Sequence, residues 1–292
     1  MGGEGGTGVG GGGAAGAGAV STGGDGGDGV GGGSSGTSGT GAGGQAGSAG
    51  AAGAAGGGAA GAGPDPTGFM PCPTNGDPCA ILPLGDSITE GCCSFNGGYR
   101  VELFRRAVQD GKNITYVGAL SNGPNDVDGQ QFPRQHEGHG GYTIDSDAGH
   151  NGISGQITDS ALSMFGPHIV LLMIGTNDLN GNVDVNNAPT RLDNLIGDIV
   201  TAAPETLVVV ASIIPMVNGN DAKVGPYNDA IVSLVESRAA LGQHVVFVDN
   251  WAAFTADSNY ANVWMSDTLH PNDTGYAVLG ASFYEAIREY LP

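Results

Sequence analysis

Basic side chains are scarce in this sequence: 9 Lys and Arg stand against 29 Asp and Glu in 292 residues, giving a formal net charge of −20. That excludes nucleic-acid binding, which needs a basic footprint to displace counterions, and it disfavours an anionic substrate. Long apolar runs are missing as well. None approaches the roughly 18 residues that a membrane-spanning helix requires. The first thirty residues lack the charged start and apolar middle of a signal peptide. Cysteine is sparse, with 4 residues, and the pattern Cys72, Cys79, Cys92, Cys93 has no paired C-x-x-C spacing for zinc. Aromatic residues make up 6% of the chain, and residues 1–63 contain none.

That last absence divides the chain. Residues 1–63 are Gly, Ala, Ser and Thr with a few acids, and cannot bury enough apolar surface to offset the entropy of ordering a backbone. They read as a disordered linker. Residues 64–78 form a lead-in with Cys72 and several prolines, and residues 79–292 are long enough for one packed core. A Gly/Ala/Ser stalk ahead of a folded domain is commoner on exported proteins. Cys72 and Cys79 also bracket a short loop suited to a disulfide in an oxidising compartment. An extracellular or cell-surface location is therefore expected, although no export signal is visible. Cys92 and Cys93 are adjacent, and four cysteines leave three possible connectivities.

Within 79–292, short apolar runs alternate with amphipathic stretches. Strands are expected at 80–84, 114–120, 168–174, 207–214 and 245–248. Helices are expected at 99–108, 153–165, 191–202, 226–241 and 272–291. A Gly, Asn and Asp-rich excursion at 121–152 suggests no regular element. Strands apolar on both faces and separated by helices describe a parallel sheet covered on both sides, a three-layer α/β/α fold with five strands. Sites in such folds form at the carboxyl ends of the strands.

Polar clusters fall where that rule places them. Gly85-Asp86-Ser87 follows the first strand, and Gly175-Thr176-Asn177-Asp178 follows the third. Asp267-Thr268-Leu269-His270-Pro271 lies after the fifth and leads into the last helix. A serine hydroxyl needs a base within hydrogen-bond reach. His270 fits that role for Ser87, with Asp267 fixing its tautomer. The Ser87 N–H, a glycine N–H and the Asn177 amide are candidate donors to a tetrahedral oxyanion. Taken singly, each cluster reads as a turn or cap; their joint arrival at strand ends is what points to catalysis.

Gly85-Asp86-Ser87-Ile88-Thr89-Glu90-Gly91, Gly175-Thr176-Asn177-Asp178 and Asp267-x-x-His270-Pro271 resemble three of the four blocks of the SGNH (GDSL-like) hydrolase superfamily. The fourth is a glycine, here Gly141 in His136-Glu137-Gly138-His139-Gly140-Gly141-Tyr142, with Gly140 as the alternative. The resemblance implies a flavodoxin-like sheet and a metal-independent serine ester hydrolase with no cofactor. It puts Ser87, Asp267 and His270 in the triad and Ser87, Gly141 and Asn177 in the oxyanion hole. Gly98-Tyr99-Arg100, Tyr116-Val117-Gly118 and the 136–142 segment are similar to the acetyl xylan esterases of carbohydrate esterase family three. That likeness implies an acylated carbohydrate, or another small ester, as the partner; a monomer is presumed, the sequence leaving the oligomeric state open. The alternatives are a GDSL-type lipase, arylesterase or thioesterase, and a non-catalytic carbohydrate-binding or adhesion module.

Other polar residues read as structural. Asp86 and Asp178 are expected to tie loops together, and Glu90 to be structural too. His136, His139 and His150, with Asp145 and Asp147, are expected as solvated surface. Asp126 with Asp128, and Asp145 with Asp147, offer oxygen ligands for calcium as a minor alternative. Trp251 reads as core and Trp264 as equally core or rim.

Overall fold

The structure, a computed structural model, describes residues 68–93, 97–147 and 149–292. The expected linker at 1–63 lies outside them, as do the first residues of the lead-in. The lead-in joins the sheet covalently, because Cys72 is bonded to Cys79, the first residue of β1 (Cys79–Gly85). β1 continues into the one-turn helix α1 (Ser87–Glu90) and then α2 (Tyr99–Gln109). β2 (Ile114–Tyr116), β3 (Leu120–Ser121), β4 (Asp126–Val127), β5 (Gln130–Gln131) and β6 (Gln135–Gly138) follow. Next come α3 (Gln156–Phe165), β7 (Ile169–Met173), α4 (Thr176–Asn180), α5 (Ala188–Ala202) and β8 (Leu207–Ala211). The chain ends with α6 (Val224–Ala240), β9 (Val245–Val248), α7 (Asn250–Thr255), α8 (Tyr260–Val263) and α9 (Asp273–Ile287).

β1 pairs in parallel with β7, β7 with β8 and β8 with β9. Every residue of β7 and β8 is buried, as expected for a sheet covered on both faces. α2 packs on α9 and α9 on α7, while α3 packs on α5 and α5 on α6. β9 meets both α6 and α9, so the sheet is the middle of three layers. The apolar stripes of α2, with Leu103, Phe104 and Ala107 buried, and of α5, with Leu192, Leu195, Ile196 and Ile199 buried, face it.

The side of β1 away from β7 corrects the expected strand pattern. β2 pairs with the first half of β1, at Cys79 to Ile81, and β6 pairs in parallel with its last two residues, Leu84 and Gly85. Two short strands thus share one sheet position, and five positions hold the main sheet. The order is that of a flavodoxin-like fold, with the switch point between β1 and β7. β3 lies antiparallel to β6, and β4 pairs with β5 in a separate hairpin. The excursion at 121–152 is therefore not devoid of regular elements. β6 was invisible to a hydropathy reading because its residues, Gln135, His136, Glu137 and Gly138, are polar or glycine. Its buried side chains form local bonds instead: His136 Nδ1 accepts from Gly138 N at 3.0 Å and Glu137 Oε1 from Ala119 N at 2.5 Å.

Candidate active site

At the switch point β1 ends in Gly85, where any Cβ would lie 2.2 Å from the Met173 carbonyl oxygen and 2.5 Å from Thr89 Oγ1. Only glycine lets β1 and β7 stay paired to the end while α1 folds back over them. Asp86 then caps α1, accepting from Ile88 N at 2.9 Å, and Gly91 closes it in the left-handed conformation. This sharp strand-to-helix turn leaves Ser87 partly exposed between buried neighbours. Burial pushes the Asp86 carboxyl up to about 6, against the Ile88 N–H, the Thr176 hydroxyl and the charge of His270.

Ser87 Oγ lies 2.8 Å from His270 Nε2, and His270 Nδ1 lies 2.8 Å from Asp267 Oδ2. The other Asp267 oxygen accepts from the backbone N–H groups of Leu269 and His270 at 2.7 and 2.8 Å. Asp267 thus shapes its own loop and holds the imidazole at once. Partial burial pushes the pKa of this carboxyl up, but the hydrogen bonds from Leu269 N and His270 outweigh that and hold it below the usual range. The loop returns on itself through Ser266 N to the His270 carbonyl and Asn272 N to the Trp264 carbonyl. Asn272 finishes it as the N-cap of α9, accepting from Thr274 N and Gly275 N.

Asn177 sits at the start of α4, beyond β7, and its Nδ2 donates to the Tyr142 carbonyl at 2.8 Å. The amide carries a second N–H. That bond ties the oxyanion candidate to the segment holding Gly140 and Gly141. Gly141 has a φ of +79° with open space around it, so it serves to turn the backbone. Gly140 faces the nucleophile: a Cβ there would lie 4.0 Å from Ser87 Cβ and 2.9 Å from Glu90 Oε2. Gly140 therefore lies beside Ser87, and Gly141 is the next residue along the chain. Asp178 fixes the same segment from below. It is fully buried, pairs with Arg191 at 2.6 Å and accepts from Ile144 N at 3.1 Å, the loop-tying role expected of it. Its carboxyl is raised by burial, and Arg191 opposes this.

Several expectations change. His136 is buried, not solvated, and burial together with the Arg100 charge lowers it to about 3. His139 Nε2 is 2.9 Å from Glu137 Oε2, and its ring stacks on Tyr142. Asp126 accepts from Gly129 N, Asp128 from Gln109, and Asp145 from the Ser154 hydroxyl. Each of these carboxylates has a separate local partner. Trp264 is partly buried, edge-on to Phe254 at 5.5 Å, while Trp251 packs against the core as expected.

Two neighbours of the site were not read from the sequence. Arg100, fully buried on α2, donates to the carbonyls of Glu90, Asn122 and Arg134 and to Asn122 Oδ1. It joins the end of α1 to the chain leading into β6. Its only sequence signal was the Gly98-Tyr99-Arg100 likeness. The second is the bonded pair Cys92–Cys93, which follows α1 directly and borders the His270 loop.

A partly exposed serine, a histidine touching it and a carboxylate behind the histidine can generate a nucleophile at neutral pH. The comparisons agree with that chemistry. Residues 84–278 match the GDSL-like lipase/acylhydrolase family. A family 3 carbohydrate esterase from Clostridium thermocellum is 32% identical, with a TM-score of 0.61 over 73% of this chain and 96% of that one. An acetyl esterase solved as a serine-to-alanine mutant with an acetate ion is 25% identical, with a TM-score of 0.61 over 72% of this chain and 96% of that one. A multidomain esterase of Ruminococcus flavefaciens is 31% identical over 231 residues, 72% of this chain but 28% of that protein. This chain thus spans little more than a quarter of that relative. With its nucleophile turn at the switch point and its histidine loop closing over it, the chain belongs to the GDSL-like lipase/acylhydrolase family and is a carboxylic ester hydrolase.

Proposed function

We propose that this esterase removes acetyl groups from xylan or a similar polysaccharide through an acyl-enzyme. The observation that carries the mechanism is the continuous path from Ser87 Oγ through the His270 ring to Asp267, with both contacts at 2.8 Å. His270 Nε2 takes the Ser87 proton as Oγ attacks the ester carbonyl. The Ser87 N–H, the Gly141 N–H and the second Asn177 N–H stabilise the oxyanion. The imidazolium, held by Asp267, then protonates the departing sugar oxygen, leaving an acetyl-serine. Water deprotonated by His270 attacks this ester and releases acetate. No cofactor or metal enters these steps.

The acetyl and carbohydrate assignments are supported by the family 3 carbohydrate esterase and the acetyl esterase among similar structures. An extracellular or cell-surface location goes with that substrate, and the Cys72–Cys79 bond is in keeping with an oxidising compartment. The test pairs acetate release from acetylated xylan with a panel of para-nitrophenyl esters. Acetate release and a steep fall in kcat/KM beyond the propionyl ester are expected, and Ser87→Ala abolishes both. Preference for octanoyl or longer esters would reject the carbohydrate reading in favour of a lipase. Activity surviving in Ser87→Ala would reject the mechanism.

A further inference from the structure

We propose that Cys92 and Cys93, once reduced, form with His270 a binding site for a thiophilic divalent cation such as Zn2+ or Cd2+. The vicinal disulfide is then the state that keeps the base available. Loss of activity on metal binding rests on the role given to His270 above; the site itself does not.

The sulfur atoms of Cys92 and Cys93 and a ring nitrogen of His270 all lie within 4.8 Å of one another. Among the described residues no other group of three His, Cys, Asp or Glu side chains gathers in this way. Cys93 Sγ is also 3.8 Å from Asp267 Oδ2, so a carboxylate stands ready as a fourth ligand or to favour a cation. The turn carrying the pair is held, since Tyr276 Oη on α9 donates to the Cys92 carbonyl at 2.9 Å. The two sulfurs are thus fixed against the start of the helix that follows His270, on the side of the site that faces solvent.

Ligand chemistry explains why oxidation state decides occupancy. Disulfide sulfur is a poor ligand, whereas thiolates with an imidazole suit Zn2+ and its soft relatives. A tetrahedral site with metal–sulfur bonds of about 2.3 Å and metal–nitrogen bonds of about 2.0 Å places its donors roughly 3.3–3.8 Å apart. Sulfurs bonded to each other cannot take up two such positions. Cleaving the bond lets rotation about two Cα–Cβ bonds bring them to that spacing. A dithiol or phosphine reductant supplies two electrons and is itself oxidised. The two sulfurs take up two protons from solvent, and the cation displaces both as two metal–sulfur bonds and one metal–nitrogen bond form. A ring nitrogen bound to metal can no longer serve the proton relay between Ser87 and Asp267.

The test titrates the full chain with Cd2+, oxidised or after phosphine reduction and desalting under argon. It reads thiolate-to-metal ultraviolet absorbance beside para-nitrophenyl acetate hydrolysis. One Cd2+ per chain is expected at this site in the reduced protein only, with hydrolysis falling at least tenfold and returning on chelation. A Cys92→Ser/Cys93→Ser double variant stays active in Cd2+ when reduced, and any absorbance it retains belongs to Cys72 and Cys79. Absence of the extra absorbance, binding without loss of hydrolysis, or equal inhibition of the double variant would each overturn the proposal. An oxidised protein with no esterase activity would instead reject the catalytic reading, because the absorbance still reports on the cation site.

Discussion

The two corners of the site are built to different standards. The nucleophile corner, from Gly85 to Gly91, is set into the core: Asp86 and Ile88 are 1% exposed and Thr89 is fully buried. The base corner, residues 264–272, is a surface loop. The side chain of His270 is 18% exposed and that of Asp267 46%. Close packing locates the serine, whereas hydrogen bonds within a short loop locate the histidine. Ser87 itself apart, changes in the first corner should therefore appear as lost stability, and changes in the second as lost activity in an intact fold.

The sharpest test is Asp267→Asn. It should lower kcat/KM by about 10³–10⁴-fold, as expected when the wrong tautomer is held. Because the side chain is exposed, the denaturation midpoint should move little. A large loss of stability would erase the contrast between the corners. Asn177→Ala comes next, with an expected loss of about 10²–10³-fold in kcat for a missing oxyanion donor. Steady-state kinetics should show KM moving less than kcat; an unchanged kcat would leave the amide only its bond to Tyr142.

Gly85→Ala should act oppositely, costing about 3 kcal/mol of stability through backbone overpacking. Urea unfolding would read it, and a change below about 1 kcal/mol would mean that this corner gives way easily. The smallest effect concerns pH. Asp86, raised to about 6, keeps a proton in the folded state that the unfolded chain loses from about pH 4, so its contribution falls as pH rises between those values. His136, lowered to about 3, behaves the other way: the unfolded chain binds the proton first, and stability is lost as pH drops below about 6.5. The two slopes oppose each other between about pH 4 and 6. Asp86→Asn should therefore steepen the acid-side decline, by up to about 1.4 kcal/mol per pH unit. An unchanged profile would show that these groups do not titrate as their burial suggests.

The same division explains what could be read from sequence. β1, β7, β8 and β9 are apolar runs, and the polar letters that end them announced the rim. β6 and the one-turn α1 left no such trace. A strand of Gln, His, Glu and Gly is stabilised by β1 backbone pairing and by local side-chain bonds, which hydropathy does not register. Arg100 was equally opaque. Its partners are mainly carbonyls from three distant segments, and a carbonyl has no residue type to recognise. Asp267 and His270 were legible because both ends of their interaction lie within four residues. The closeness of Cys92 and Cys93 to His270, across 177 residues from Cys93, needed the fold.

The Cys72–Cys79 bond has a mechanical consequence. A pull on the chain ahead of Cys72 is delivered through sulfur to Cys79 at the head of β1, so residues 73–78 are spared from unravelling. β1 is paired on both sides, with β7 on one and with β2 and β6 on the other. Force along its axis loads those ladders in shear, all bonds together, where peeling would break them one at a time. Tension on the leading segment thus reaches an interior strand of the sheet, the same strand that ends beneath Ser87.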